Sequence, residues 1–189
     1  MRQKLLSLLI LLILGFVGLE GRGQVSMSTT GSVSQDFNTL ISSGTDTWAD
    51  NSTISNWYAQ RTKSGNSIAA DAGGANAGNL YSYGSNSSTD RSLGSLGSNS
   101  AGSFAYGVQL KNTSSAVITS IKISYTLEQW RNSGTAAQTV SFYYKISSNL
   151  ITSLDPNSNG TWTNVAALNS ISPKTGGSAA ALDGNASAN

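Results

Sequence analysis

The stretch SFAYGVQLKN, residues Ser103–Asn112, decides the fold because apolar and polar residues alternate along it with the period of a β-strand. The same alternation recurs over Val117–Gln129 and Thr139–Ser147. The residues predicted to face the interior are Phe104, Tyr106, Val108, Leu110, Ile121, Ile123, Tyr125, Leu127, Val140, Phe142, Tyr144 and Ile146. Three consecutive strands joined by short polar connections predict an antiparallel meander with one face in water.

Weaker strand signals flank this centre, each carrying aromatic or branched apolar residues. They are Ser34–Asn38, Ile54–Arg61, Asn79–Tyr83, Arg91–Leu96 and Thr161–Leu168. Long loops are expected over 63–78 and over 84–90 joined to 93–102. No stretch after residue 23 has a sustained helical period. Many short strands separated by Gly, Asn and Ser turns predict an all-β fold. We expect an antiparallel β-sandwich, jelly-roll-like.

The first residues have the three parts of a secretory signal peptide. Arg2 and Lys4 form a basic start, Leu5–Leu14 is apolar except for one serine, and small residues follow up to Gly23. The apolar stretch falls short of the roughly 20 residues that a membrane-spanning helix needs. We therefore predict cleavage after Gly23 and a secreted or cell-surface product. The expected organisation is a signal peptide at 1–23, a β-sandwich domain at 24–171, and a polar tail or incomplete C-terminal part of the domain at 172–189.

Removal of residues 1–23 takes away three of the eleven basic residues and one of the nine acidic residues, so eight of each remain. The basic sequence pI of about 8.9 thus belongs largely to the signal peptide. Electrostatic binding to nucleic acid needs more Lys and Arg than Asp and Glu, and the remaining chain has no such surplus. We therefore predict no nucleic-acid partner, and no membrane association after cleavage.

The sequence contains neither cysteine nor histidine. Thiol nucleophiles, thiolate metal sites and histidine-dependent catalytic triads are thereby excluded. No glycine-rich loop joins a strand to a helix, as a nucleotide-binding site would require. We expect no cofactor, no metal and no catalytic residues.

Glu128 is the single glutamate after residue 23, and it lies beside Trp130 and Arg131. An acid beside an aromatic ring can bind sugar, whereas an ion pair at a sheet edge accounts for the same residues. Trp48, Trp57 and Trp162 are further candidates for stacking on a sugar, or else core residues. The alternation predicts that the outward rings are those of Trp130 and Tyr143. Weak ligand-binding candidates are thus Trp130, Tyr143, Glu128 and Arg131.

Asp155, Asn157 and Asn159 have the spacing of the first half of a calcium-binding loop. The twelfth position of that loop is Ala166, where calcium needs a bidentate acid. An Asn-Gly turn between two strands explains the same residues. The three residues form only a weak candidate for calcium.

Several short motifs occur in a distinctive order. They are Asp36-Phe37-Asn38, Trp48 with Asp50-Asn51, Trp57-Tyr58-Ala59, Leu80-Tyr81-Ser82-Tyr83-Gly84, Thr89-Asp90-Arg91-Ser92-Leu93-Gly94-Ser95-Leu96, Tyr106-Gly107-Val108, Glu128-Gln129-Trp130-Arg131, Gly160-Thr161-Trp162 and Ala181-Leu182-Asp183-Gly184-Asn185. Over residues 35–189 this order resembles an N-terminal β-sandwich module of secreted bacterial multidomain proteins. Such proteins end in sorting, lamin-tail-like or extracellular nuclease domains. Since members of this group continue past the last motif into a final strand pair and further domains, the resemblance implies that the chain is a fragment whose sandwich lacks its last strands.

The resemblance identifies a module rather than an activity, so three functions are expected in order of preference. The first is a secreted, non-catalytic accessory or adhesion-type module, whose partner is unknown. A surface glycan or the other domains of a longer protein would fit. The second is a carbohydrate-binding module that uses exposed aromatic rings. The third is the leading module of an extracellular hydrolase whose catalytic domain lies outside this chain.

Overall fold

The computed structural model describes residues 23–28, 30–134, 137–155, 157 and 161–186, and most of the predicted signal peptide lies outside them. The strands are β1 (Val25–Met27), β2 (Thr45–Thr47), β3 (Trp57–Arg61), β4 (Ser67–Asp71), β5 (Asn79–Tyr83), β6 (Ser92–Leu96), β7 (Phe104–Val108), β8 (Leu110–Asn112), β9 (Arg131–Asn132), β10 (Thr139–Val140), β11 (Tyr143–Tyr144), β12 (Thr163–Asn164), β13 (Ser170–Ile171) and β14 (Ala180–Ala181). One 3-10 turn, Ala166–Leu168, is the single helical element among these residues. The fold is all-β, as predicted. Within the same residues, no helix has the length and apolarity to cross a membrane.

The largest sheet has four strands in the order β2-β4-β5-β6. β5 lies in its middle, parallel to β4 and antiparallel to β6, with Tyr81 opposite Ala69 on one side and Gly94 on the other. A second pair, β3 with β7, is antiparallel over five residues and sets Tyr58 opposite Gly107. Most pairings in the molecule are antiparallel, and β1–β8 and β4–β5 are parallel.

The main hydrophobic core lies between the four-stranded sheet and the β3–β7 pair. Ile68, Leu80 and Leu93, one from each of β4, β5 and β6, are buried on the inner face of the sheet. Residues of β3 and β7 that pack against them are Trp57, Ala59, Phe104 and Tyr106. Burial on this scale contributes about 1.5–3 kcal/mol for each large apolar side chain, so this core is the main source of stability.

The opposite face of the four-stranded sheet is also covered. Tyr81 and Tyr83 of β5 point to that face and are 3% and 7% exposed. They pack with Trp130, which comes from a part of the chain distant in sequence. β5 is therefore buried on both faces, and its alternating residues Leu80 and Tyr81 belong to different clusters.

Four short two-stranded pairings lie outside this centre and join the chain ends and the later segments to one another. β1 pairs with β8, β9 with β14, β10 with β13, and β11 with β12. β14 lies within the segment 172–189, for which the sequence left a polar tail or a part of the domain as alternatives. It pairs with β9, with Ala180 opposite Asn132 and Ala181 opposite Arg131.

The predicted meander is wrong. Val117–Gln129 contains no strand, and Ile121, Ile123, Tyr125 and Leu127 are 40–50% exposed rather than interior. Val140, Tyr144 and Ile146, also predicted to point inward, are 43–88% exposed. Alternation gives a chain two faces, but a strand needs a partner for its backbone groups, and β10 and β11 pair with β13 and β12 instead.

Three smaller predictions also fail. The expected loop 63–78 contains β4, a full member of the main sheet. The expected strand Ser34–Asn38 does not form: Phe37 has a positive φ of 61°, and its carbonyl accepts a hydrogen bond from the backbone N–H of Leu40 in the turn that follows. In the stretch Ser103–Asn112, Val108 and Leu110 are each 37% exposed while Gln109 is 8% exposed, because the side chain of Gln109 donates a hydrogen bond to the carbonyl of Ile151.

Candidate functional site

Trp130 is buried, contrary to the prediction that its ring points outward. It is 4% exposed, and its ring stacks on that of Tyr83 with centroids 6.2 Å apart and planes 3° apart. The indole Nε1 donates a hydrogen bond of 2.8 Å to Oε2 of Glu128. Both the apolar face and the polar edge of this tryptophan are thus used inside the protein. We call Tyr81, Tyr83, Glu128, Trp130 and Arg131 the Trp130 cluster.

Glu128 holds two elements together through one carboxylate oxygen. In addition to the indole of Trp130, the hydroxyl of Ser92 on β6 donates a 2.8 Å hydrogen bond to Oε2. Both donors are neutral, in contrast to the ion pair expected at a sheet edge. The carboxylate therefore fastens the Trp130 segment to the main sheet.

Arg131 pins the turn that follows β4. Its Nη1 donates to the carbonyls of Gly73 and Gly74, at 2.9 and 3.1 Å. The carboxylate of Asp71 accepts hydrogen bonds from the backbone N–H groups of Gly73 and Ala75 in the same turn. Gly73 has a φ of +85°, and a Cβ there would lie 1.7 Å from the carbonyl oxygen of Trp130, so only glycine fits.

The last motif of the sequence closes over the same place. The backbone N–H of Leu182 donates to the carbonyl of Trp130 at 2.8 Å. A Cβ on Gly184 would lie 2.4 Å from Nε1 of Trp130, so the chain passes close to the indole. The side chain of Asn185 donates to Asp90 at 3.1 Å. The Leu-Tyr-Ser-Tyr, Asp-Arg-Ser-Leu, Glu-Gln-Trp-Arg and Leu-Asp-Gly-Asn motifs therefore converge on the Trp130 cluster.

Burial in the cluster raises the pKa of its two tyrosines. Burial is the main cause that raises the pKa of Tyr83 well above 10, with the charge of Asp71 adding to it. The pKa of Tyr81 is raised for the same reasons. Both phenols stay protonated at neutral pH, since their ordinary pKa is already about 10. They act here as neutral packing groups.

Arg91 forms a second internal polar centre, which the sequence did not indicate beyond its place in a motif. It is 3% exposed, and its guanidinium donates to the hydroxyl and carbonyl of Ser82 and to the carbonyl of Ser85. The side chain of Asn38 accepts a hydrogen bond from the backbone N–H of Arg91 at 2.9 Å. Burial lowers the pKa of this arginine.

Tyr143 lies apart from these residues in the topology. It is half-buried on β11, which pairs with β12 and sets Tyr143 opposite Asn164. The two rings predicted to form one sugar platform thus belong to different elements: one is buried against the main sheet, and the other is half-buried in a small hairpin-like pair. The predicted combination of Trp130 with Tyr143 finds no support.

The calcium candidates are only partly described. Asp155 has a positive φ of 41°, and its Oδ1 accepts a hydrogen bond from the backbone N–H of Asn157 at 3.1 Å. Asn159 lies outside the described residues. Where the structure describes the chain, no three acidic side chains are grouped as a metal site would require. The Asp155–Asn157 contact is that of an Asx turn.

Two open clefts flank the segment 151–154. One, of about 330 Å³, lies against β3 and is lined by Tyr58, Gln60 and Gln109. The other, of about 260 Å³, is lined by Trp162, Lys145, Thr152, Thr161 and Asp155, among others. Of the four tryptophans, Trp162 alone lines one of these clefts.

No protein family, curated protein or solved structure matches this chain. The function must therefore be argued from the geometry itself.

Proposed function

We propose that this chain is an exported, non-catalytic recognition or accessory module, built as a β-sandwich of the kind found at the front of secreted multidomain proteins. The two-layer core between the four-stranded sheet and the β3–β7 pair supports the sandwich architecture. β1 begins two residues after the predicted cleavage position and pairs with β8, which suits a mature chain that starts at Gln24.

The observation that carries the proposal is the internal use of the motif residues. Glu128, the acid that the sequence made a candidate for ligand binding, accepts hydrogen bonds from Ser92 and Trp130. Arg131 and Arg91 donate to backbone carbonyls within the domain. A catalytic acid must reach a substrate with its reactive oxygen, whereas these groups satisfy the interior. The role of these motif residues in holding the fold together accounts for the motifs, as expected for a structural or binding module.

Activity assays test the non-catalytic part. The secreted protein, produced from the full sequence, is incubated with panels of chromogenic glycosides, polysaccharides and single- and double-stranded nucleic acids. We expect no turnover, from either the wild-type protein or Glu128→Gln. Turnover that disappears in a folded Glu128→Gln variant would overturn the proposal.

The mass of the secreted product tests the export part. A signal peptide cut after Gly23 gives a product whose first residue is Gln24, which N-terminal peptide mapping identifies directly. A product that retains Met1 and stays with the cells would contradict secretion.

A further inference from the structure

We propose that the cleft lined by Trp162 is a binding site for a neutral sugar residue. The proposal deepens the recognition function above and rests on it. Three sets of observations lead to it: the state of the four indole groups, the chemistry of the cleft wall, and the rigidity of its floor.

The four tryptophans differ in how their rings and N–H groups are used. Trp48 and Trp130 are each about 4–5% exposed, and their indoles donate 2.8 Å hydrogen bonds to Asp50 and Glu128. Trp57 packs its edge on Phe37, with centroids 4.7 Å apart, and joins the main core. Trp162 is half-buried in an open cleft, and its N–H finds no hydrogen-bond acceptor among the described residues. The N–H of Trp57 also has no acceptor among the described residues, but its ring packs against the core. Of the four, Trp162 combines a ring that lines an open cleft with an N–H that has no described acceptor.

The cleft wall carries groups of both hydrogen-bonding types. The ammonium of Lys145 and the hydroxyls of Thr152 and Thr161 make no hydrogen bond within the described part of the chain, and a hydroxyl can both donate and accept. Asp155 also lines the cleft, with its Oδ1 accepting from the backbone N–H of Asn157. A sugar ring presents an apolar C–H face and a rim of hydroxyls, which match an indole face surrounded by donors and acceptors. One positive and one negative charge favour a neutral sugar over an acidic one.

The size of the cleft sets the size of the ligand. Sites for drug-sized molecules measure roughly 300–1,000 Å³. At about 260 Å³ this cleft lies just below that range, which suits one sugar ring of a longer chain, with the open side leaving room for its neighbours.

The floor of the cleft is held in place from behind. Oε1 of Gln60 on β3 accepts hydrogen bonds from the Ser153 hydroxyl and from the Leu154 N–H, at 3.1 and 2.9 Å. Nε2 of Gln109 donates to the carbonyl of Ile151 at 2.5 Å. The segment 151–154 is thereby fixed to the β3–β7 pair, and a preorganised wall costs less entropy when a ligand binds.

An array of neutral and acidic oligosaccharides, probed with the secreted protein, tests the site. We expect binding to at least one neutral oligosaccharide, and titration calorimetry then gives its affinity. Trp162→Ala should weaken that affinity about tenfold or more, because the stacked ring is lost. Trp162→Phe, which keeps a ring but not the N–H, should retain part of the affinity. Tyr144→Ala, at an aromatic residue 43% exposed outside the cleft lining, is the matched control and should bind as the wild type does.

Three results would overturn the site, provided that circular dichroism shows the variants folded. They are no binding to any oligosaccharide, equal binding by wild type and Trp162→Ala, and binding to acidic oligosaccharides alone that Lys145→Gln abolishes. None of the three results concerns catalysis or export. Turnover of a substrate, or a product that retains its signal peptide, would overturn the module proposed above instead. The two proposals are thus separately testable.

Discussion

Replacing Trp130 by alanine should destabilise the protein severely, because this residue joins the chain segment before β9 to the outer face of the main sheet. Truncating a buried tryptophan costs about 3–5 kcal/mol through lost burial and the cavity that remains. The ring of Trp130 is 4% exposed and stacks on Tyr83, so the upper part of that range applies. Against a total stability of about 5–15 kcal/mol, such a loss is at least a fifth of the whole.

The variant Trp130→Phe separates the contribution of the ring stack from that of the indole hydrogen bond. It keeps an aromatic ring against Tyr83 but removes the N–H that donates to Glu128. A hydrogen bond to a charged acceptor contributes about 1.5–3 kcal/mol, and the partial exposure of Glu128 places this one at the lower end. We therefore expect a cost of about 1–2 kcal/mol, beyond any loss from the smaller ring.

Urea denaturation followed by far-ultraviolet circular dichroism measures both losses without depending on tryptophan fluorescence. Trp162→Ala is the matched control, because its half-buried ring lines an open cleft, and we expect a loss of about 1 kcal/mol or less. A Trp130→Ala protein within about 0.5 kcal/mol of the wild type would refute the structural role of Trp130. It would also restore the interpretation of Trp130 as an exposed platform.

Three further predictions concern other groups that are buried in the domain. Gly73→Ala should cost about 2–5 kcal/mol in urea denaturation, from its positive φ and its approach to the Trp130 carbonyl, whereas Gly74→Ala, whose Cβ has only an ordinary contact, should be near neutral. Arg91→Ala should cost about 2–4 kcal/mol by the same assay, because the carbonyls that accept from it lose their donor in a buried place; a neutral result would contradict this. Stability should fall above pH 10 by about 1.4 kcal/mol per pH unit from Tyr83, because its phenol ionises in the unfolded chain while burial keeps it protonated in the folded one. Tyr83→Phe should flatten that decline, and an unchanged slope would rule out its contribution.

Local patterns predicted the core strands where packing on both faces reinforces them. The bounds of β5, Asn79–Tyr83, match the prediction, because its aromatic and branched residues are buried on the two sides of the sheet. β4, Ser67–Asp71, carries two alanines and one large apolar residue, so its own pattern is weak. It becomes a strand because β2 and β5 supply backbone partners on both edges. Sequence periodicity contains no information about such partners.

The opposite failure occurs over residues 117–129, where a strong pattern yields no strand. The single aromatic residue of that segment, Tyr125, stacks on Phe142 with ring centroids 6.0 Å apart. Its hydroxyl donates a hydrogen bond to the carbonyl of Leu168. These contacts orient a side chain without satisfying the backbone beside it. Alternation alone is thus not sufficient for a strand, since the decisive contacts come from residues remote in sequence.

The candidate site shows the same limit in chemical terms. The sequence identifies the tryptophans, but which of them can bind a ligand depends on whether the ring is packed in the core and whether the indole N–H already has an acceptor. Trp130 gives its N–H to Glu128, so a sugar could use that ring only if the protein gave up a bond and a stack that stabilise it. Binding of a sugar to Trp162 would break no such hydrogen bond or ring stack, since its N–H has no acceptor in the described chain and its ring already lines an open cleft. The two alanine variants should therefore separate cleanly: one should lose stability, and the other should lose sugar affinity while remaining folded.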